Sequence, residues 1–401
     1  MRDYSYVYRF KDMALGMFVH FGLFTEVSRD CWHKLHYQVS DEKYEKLSDT
    51  FKVDKGWAKN LVKVAKSAGA RYITLTTRHH EGFSLYDTKG LSDFDVMHSP
   101  VGRDLVLEFV TACREGGIVP FFYHTLVDWH NHDYVNDFDK YIDYLISSVE
   151  ILCTNYGDIG GLWFDGTWDK PADTNWQFDR LYSTIRKYQP NAMIINNTGL
   201  LDLGSVGHPE IDSVTFERGK PVRVSTDRPL AGEMCMPLHD HWGFAKHDYN
   251  YQSMSHYFRT ILNSRLAGAN LLLNVGPMPR GRVKTMDKGI MQVIGEWIKL
   301  NKNFIYKAGP CDVTAEGADI LYDGEHYYAI VENIPMKYHP AISPRDPDPV
   351  VKILTDKKVK RVRALDDGTR IKVKKNNTFN VPKFEEGIST DIRIIRFDLE
   401  D

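Results

Sequence analysis

Between residues 16 and 300, short apolar runs alternate with helical patterns of about ten to fifteen residues, and this alternation is the strongest constraint on the fold. The apolar runs are GMFVHFG (16–22), YITLTTRHH (72–80), GIVPFFYHT (117–125), GGLWFDG (160–166), AMIINNT (192–198), SVTFERG (213–219) and NLLLNVGP (270–277). Between and after them lie amphipathic stretches at 54–70, 104–117, 137–156, 176–190, 253–269 and 286–301. Each strand–helix–strand repeat implies parallel neighbours, and strands that are apolar throughout imply burial on both faces. Seven strands are readable, and Glu233–Leu238 supplies an eighth, so an α/β fold of the (β/α)8 barrel type is expected. A doubly wound open sheet is the alternative, but no GxGxxG follows any strand. From Phe304 the pattern changes to short alternating runs broken by turn residues, such as ADILYDGEHYYAIVEN, PVVKILTDKKVKRVRAL, TRIKVKKNNTFNV and DIRIIRFDL. These read as a C-terminal antiparallel β-sandwich. The expected division is a barrel over 1–303 and a sandwich over 304–401.

The bulk properties narrow the function classes. A net charge of −3 gives no general attraction to nucleic acid or to membrane surfaces. There is no apolar run long enough to span a bilayer and no signal-peptide h-region at the start. The five cysteines, Cys31, Cys113, Cys153, Cys235 and Cys311, are scattered, with no CxxC pair, which argues against a disulfide framework or a thiolate zinc site. A cytoplasmic setting follows, or a secreted or periplasmic one if a leader has been removed.

In a parallel barrel, chemistry collects at the C-terminal ends of the strands. Here those ends carry His20, then His79 and His80, Tyr123 and His124, Trp163 and Asp165, Asn196 and Asn197, and Glu217. One strand-end histidine would mean little, but six strands delivering polar or aromatic groups to one rim point to a site. Asp165, flanked by Trp163 and Phe164 and followed by Gly166, is placed to attack an anomeric carbon, although an Asp before Gly also suits a plain turn. A retaining glycosidase needs a second carboxyl group about 5–5.5 Å away. Glu217 in TFERG and Glu233 in AGEMCMP are the two candidates. Neutral imidazoles both donate and accept hydrogen bonds, which suits vicinal hydroxyls. Trp242, in WGF, fits a sugar-stacking platform or plain packing. The HxH pair His239 and His241 raises a metal-hydrolase alternative, but it lies late in the chain in a loop-like stretch. Metal and cofactor are therefore both expected to be absent from the chemistry.

With these residues in place, the chain resembles glycoside hydrolase family 29, the retaining α-L-fucosidases. The resemblance is carried by GMFVHFGLFT, WAKNLVKVAKSAGARYITLTTRHHEGFSLYDT, SPVGRDLVLEFVTACREGGIVPFFYH, GGLWFDG, WGF and NLLLNVGP, running almost to residue 310. It implies a barrel enzyme that releases terminal α-L-fucose by double displacement, with Asp165 as nucleophile and no cofactor. It implies substrate contacts from His20, Trp32, His79, His80, Tyr123, Trp163 and Trp242. Family members supply the acid/base from different segments, matching either Glu217 or Glu233. In the second group a Trp precedes the Glu; here that position is Gly232, which favours Glu217. The early loop also departs, reading CWH where relatives often carry an acidic residue before the Trp. A barrel that binds fucosylated glycans without cleaving them is the alternative to an enzyme. The implied partner is a fucosylated oligosaccharide or glycoconjugate, with no nucleic acid or membrane; linkage preference and homo-oligomer formation are left open.

Overall fold

The computed structural model describes residues 3–198, 200, 202–224, 226–337 and 347–400. Its packing forms two compact units, Met1–Gln252 with Asn270–Gln292, and Ser253–Ala269 with Val293–Asp401. Among the described residues no helix is long and apolar enough to cross a membrane.

The first unit is built on the expected barrel. Its eight strands are β1 (Leu15–Val19), β2 (Tyr72–Arg78), β3 (Val119–Thr125), β4 (Gly161–Asp165), β5 (Met193–Asn196), β6 (Ser213–Glu217), β7 (Ala231–Pro237) and β8 (Ala269–Val275). They close in sequence order, with parallel pairing of β1 to both β2 and β8. Helices fall where the periodicity places them, at Trp57–Ala68, Leu105–Gly116, Phe138–Thr154 and Phe178–Tyr188. Two of their ends show why. The Asp104 side chain caps Leu105–Gly116 by accepting from Leu107 N at 2.8 Å, and Gly117 ends it in the left-handed region at φ 68°.

The barrel interior is filled by inward-facing aromatic residues, including Phe18, Tyr72, Phe121, Tyr123 and Trp163, with Met193, Ile195 and Leu272. A helix at Ser5–Lys11, not foreseen from the sequence, adds Tyr6, Val7 and Phe10 to this cluster. Gly16 makes the packing possible: a Cβ there would lie 2.3 Å from Cζ of Tyr72, whose ring crosses that space.

The C-terminal part contains two antiparallel sheets. One has five strands, in the order Val359–Ala364, Ile392–Leu399, Tyr327–Glu332, Asp319–Tyr322 and Gly309–Pro310. The other has three, Thr314–Glu316, Val350–Leu354 and Thr378–Asn380. Residues from both sheets, among them Ile320, Val331, Val351, Ile353, Phe379 and Ile395, share one core. Only Thr378–Asn380 of the TRIKVKKNNTFNV run is a strand. Arg370 forms an isolated bridge to Arg363, and IKVKK after it makes single backbone hydrogen bonds, such as Ile371 N to the Val362 carbonyl at 2.9 Å, without forming a ladder.

Candidate active site

Side chains along a strand alternate between faces, so the last inward position of each barrel strand decides what the rim presents. Tyr123 and Asn197 face inward. Their neighbours turn the other way: His124 Nδ1 contacts the Thr125 carbonyl at 2.7 Å, and Asn196 donates to the Tyr182 hydroxyl at 2.8 Å. The adjacent pair His79 and His80 escapes this rule, because β2 ends at Arg78 and both histidines sit in the turn beyond it.

These residues meet around one cavity of about 230 Å³. It is lined by His20, Trp32, His79, His80, Tyr123, Trp163, Asp165, Glu217 and Trp242, together with Phe18, Trp168, Leu200 and Cys235. Of the catalytic and sugar-contacting residues expected from the sequence, all line it except Glu233. Of the other strand-end groups, His124 and Asn196 face away, and Asn197 reaches the site through its contacts with the carboxylates. Seven of the strands and their following loops, β1 to β7, thus contribute to one small, largely aromatic cup, the usual form of a small-ligand site.

Asp165 is the focus of the polar contacts. Tyr123 donates its hydroxyl to Oδ2 at 3.2 Å, and Trp168 donates Nε1 to Oδ1 at 3.2 Å. Asn197 Nδ2 reaches Oδ1 at 3.3 Å, and His80 Nε2 lies 3.5 Å from Oδ2. His80 is oriented by a 2.7 Å contact of its Nδ1 with Thr125 Oγ1. Burial works to raise the Asp165 carboxyl, but the hydrogen bond and charge of His80, with Trp168 and Asn197, outweigh it and hold the group below its ordinary value. Gly166 follows at φ 117°, a conformation that frees the chain to turn away behind Asp165.

Glu217 stands beside it. Asn197 Nδ2 donates to Glu217 Oε2 at 2.7 Å, and Thr215 Oγ1 holds Asn197 by donating to its Oδ1 at 2.8 Å. Burial, followed by the negative charge of Asp165, pushes the Glu217 carboxyl up to about 7. Two neighbouring carboxyl groups are therefore driven in opposite directions, one kept ionised and the other retaining its proton up to about pH 7.

Glu233 lies deeper. Register pairs Glu217 with Cys235 and Thr215 with Glu233, so Glu233 sits one inward step below the rim. Its Oε1 accepts from the Tyr72 hydroxyl at 2.5 Å and its Oε2 accepts from Trp163 Nε1 at 2.8 Å. It is fully enclosed, and burial raises its carboxyl to about 7.

The remaining sugar-facing candidates are fixed by their neighbours. His20 Nδ1 contacts Asn274 Oδ1 at 2.7 Å, and burial drives its imidazole down to about 3, so it is neutral. The His20 ring lies 5.1 Å from Trp242, whose ring also meets Phe18 at 6.1 Å and the Arg218 guanidinium at 5.1 Å. Trp32 packs against Trp168 at 5.3 Å and His80 at 5.5 Å. His239 and His241 both turn Nδ1 toward Asp248 Oδ2, at 2.9 and 2.7 Å.

Sequence reasoning missed Trp168 and the bridging role of Asn197. Trp168 lies only three residues after Asp165, and the short 3-10 turn Thr167–Asp169 is what brings its indole back to the carboxylate. A second aromatic in WFDGTWD was the available signal.

The buried acids carry a stability consequence. Glu217 and Glu233 are raised to about 7, and Glu81, beside the pocket histidines, to about 8. The folded protein keeps protons there that the unfolded chain releases near 4.5, so this stabilisation is complete below that pH and is lost as pH rises through 7 and 8. His20 and His79 act oppositely, because their lowered values cost stability only as pH falls below 6.5. The melting temperature is therefore expected to fall steadily between about pH 6.5 and about pH 8 in thermal unfolding. A rise across that window would contradict the enclosed acids.

The α-L-fucosidase family model matches residues 2–303. The chain is 24% identical over 361 residues to an α-L-fucosidase of Branchiostoma floridae, covering 81% of this chain and 79% of that protein. It is 24% identical over 357 residues to the tissue α-L-fucosidase of Bos taurus, covering 81% and 75%. Among solved structures, α-L-fucosidase isoenzyme 1 of Paenibacillus thiaminolyticus superposes with a TM-score of 0.85 at 27% identity over 99% of each chain. The family 29 α-L-fucosidase of Bacteroides thetaiotaomicron shares the fold, with a TM-score of 0.84 at 24% identity over 100% of this chain and 96% of that one. The chain belongs to the α-L-fucosidase family, glycoside hydrolase family 29, and is a glycoside hydrolase.

Proposed function

We propose that this fucosidase is exo-acting and retaining, with Asp165 as nucleophile and Glu217 as acid/base. The observation that carries the reading is the shared donor Asn197. Its contacts of 3.3 Å to Asp165 and 2.7 Å to Glu217 keep those two carboxyl oxygens no further apart than about 6 Å. That bound is nearer the about 5–5.5 Å of a retaining pair than the about 6.5–9.5 Å of an inverting one, which supports direct attack.

In the first step, an Asp165 oxygen bonds to the anomeric carbon while Glu217 gives its proton to the departing glycosidic oxygen. The lowered Asp165 carboxyl supplies the anion, and the raised Glu217 carboxyl supplies the proton. In the second step Glu217, now ionised, takes a proton from water as that water displaces Asp165, and free fucose leaves. A fucosidase of Bacteroides thetaiotaomicron has been trapped as a covalent intermediate with 2-fluoro-fucosyl fluoride, which supports the same route here.

His20, Trp32, His79, His80, Tyr123, Trp163 and Trp242 are assigned to fucose recognition, the imidazoles serving hydroxyls and the indoles serving ring faces. The cup, about 230 Å³, fits one terminal sugar, which supports exo action on fucosylated glycans. Proton NMR of the first-formed product tests the mechanism. α-L-Fucose appearing before mutarotation is expected, and the β anomer appearing first would contradict the double displacement.

A further inference from the structure

Glu81 follows His80 in the turn after β2, and the mechanism above gives it no task. Its side chain is fully enclosed, and neither carboxyl oxygen has a hydrogen-bond partner. Oε2 lies 3.6 Å from His79 Nδ1, which is also enclosed and also lacks a partner, while the His79 ring lines the sugar cup. The Gly22 backbone closes the far side: a Cβ there would lie 3.1 Å from Glu81 Oε1.

Leaving a buried carboxyl and a buried ring nitrogen both unmatched is costly, and a closure of a few tenths of an ångström lets each satisfy the other. The other charged or titratable groups facing Glu81 are Lys34, Asp128, Arg78, Cys31 and Tyr44. Lys34 Nζ is already engaged by Asp41 at 2.8 Å and by the Trp129 carbonyl at 3.0 Å. Arg78 donates to Ser84 Oγ at 2.8 Å and to Ser148 Oγ at 3.2 Å. Burial raises the Glu81 carboxyl to about 8 and drives His79 well below its ordinary value, so near neutrality the single proton between them belongs to the acid.

We propose that Glu81 is a positioning residue for sugar recognition: its carboxylic O–H donates to His79 Nδ1, fixing the tautomer that carries a proton on Nε2 and so presents a donor to a hydroxyl oxygen of the bound sugar. This rests on the cup being the fucose site. When Glu81 ionises it accepts a hydrogen bond from Nδ1–H instead. The proton then leaves Nε2, and the sugar faces an acceptor where it had a donor.

Calorimetric binding of L-fucose tests this in a Glu217→Gln background, which removes the titration of that neighbour. With Glu81 present, Kd is expected to rise about tenfold between about pH 7 and about pH 9. Glu81→Gln can donate an amide N–H to Nδ1, so it should bind as tightly as the parent at pH 7 and show no such rise. Glu81→Leu should bind about tenfold more weakly at every pH, with thermal melts confirming that each variant is folded. The proposal is overturned if Glu81→Gln is as weak as Glu81→Leu, or if it keeps the pH dependence of the parent. Absence of fucose binding by the Glu217→Gln parent would instead remove the sugar-site reading itself, and this inference with it.

Discussion

Replacing Asp165 by alanine is expected to reduce kcat/KM on 4-nitrophenyl α-L-fucoside by at least about 10,000-fold, the scale on which a covalent nucleophile is missed. The fold is expected to survive. Asp165 sits at the rim with its side chain 15% exposed, and the barrel core lies beneath it. Its four neighbours, His80, Tyr123, Trp168 and Asn197, lose an acceptor that bound sugar or water can replace. The assay is nitrophenol release beside a thermal melt. Near-parental turnover in a folded variant would remove Asp165 from the chemistry.

The second large effect separates the two glutamates. Glu217→Ala is expected to lose about 100- to 10,000-fold on fucosylated glycans, whose leaving groups need a proton, and less on the aryl fucoside, whose leaving group does not. Azide needs no general base, so it should restore turnover of the aryl substrate by Glu217→Ala and yield fucosyl azide. Glu233→Ala should behave differently. Both Glu233 oxygens accept buried hydrogen bonds, from Tyr72 and Trp163, so its removal strands two donors at a cost of about 1–3 kcal/mol each. Lower melting temperature without azide rescue is the expected signature. Azide rescue of Glu233→Ala alone would transfer the acid/base role to it.

The choice between these residues shows where sequence reading reaches its limit. Alternating apolar strands and amphipathic helices are set by local periodicity, so the barrel and the approximate place of every strand were legible. The rim residues were legible because strand ends in a barrel converge. Depth along the barrel axis was not, since it depends on register between strands distant in sequence. Glu217 pairs with Cys235, and only that pairing shows Glu233 to be one inward step lower, between Tyr72 and Trp163. The Gly232 departure pointed to Glu217 by resemblance, and the register supplies a physical reason for the same preference.

Other gaps have similar causes. Trp168 returns to Asp165 through a short turn whose geometry carries no periodic signal. The Ser5–Lys11 helix is only seven residues long, and its aromatic spacing acquires meaning through the barrel residues it packs against. IKVKK has the alternation of a strand, yet it has no sheet ladder to join. Glu81 was visible within TRHHEGF, but its approach to His79, with no hydrogen bond to either carboxyl oxygen, emerges only from the enclosed geometry around it.

The most direct test of the central claim is to trap the fucosyl-enzyme with 2-fluoro-fucosyl fluoride and map the modified peptide by mass spectrometry. The fluorine at C2 slows both steps, and the fluoride leaving group lets the first proceed so that the intermediate accumulates. One sugar per chain, attached at Asp165 in GLWFDG, is the expected result. Attachment to a different carboxylate, or sustained turnover with no adduct formed, would contradict it.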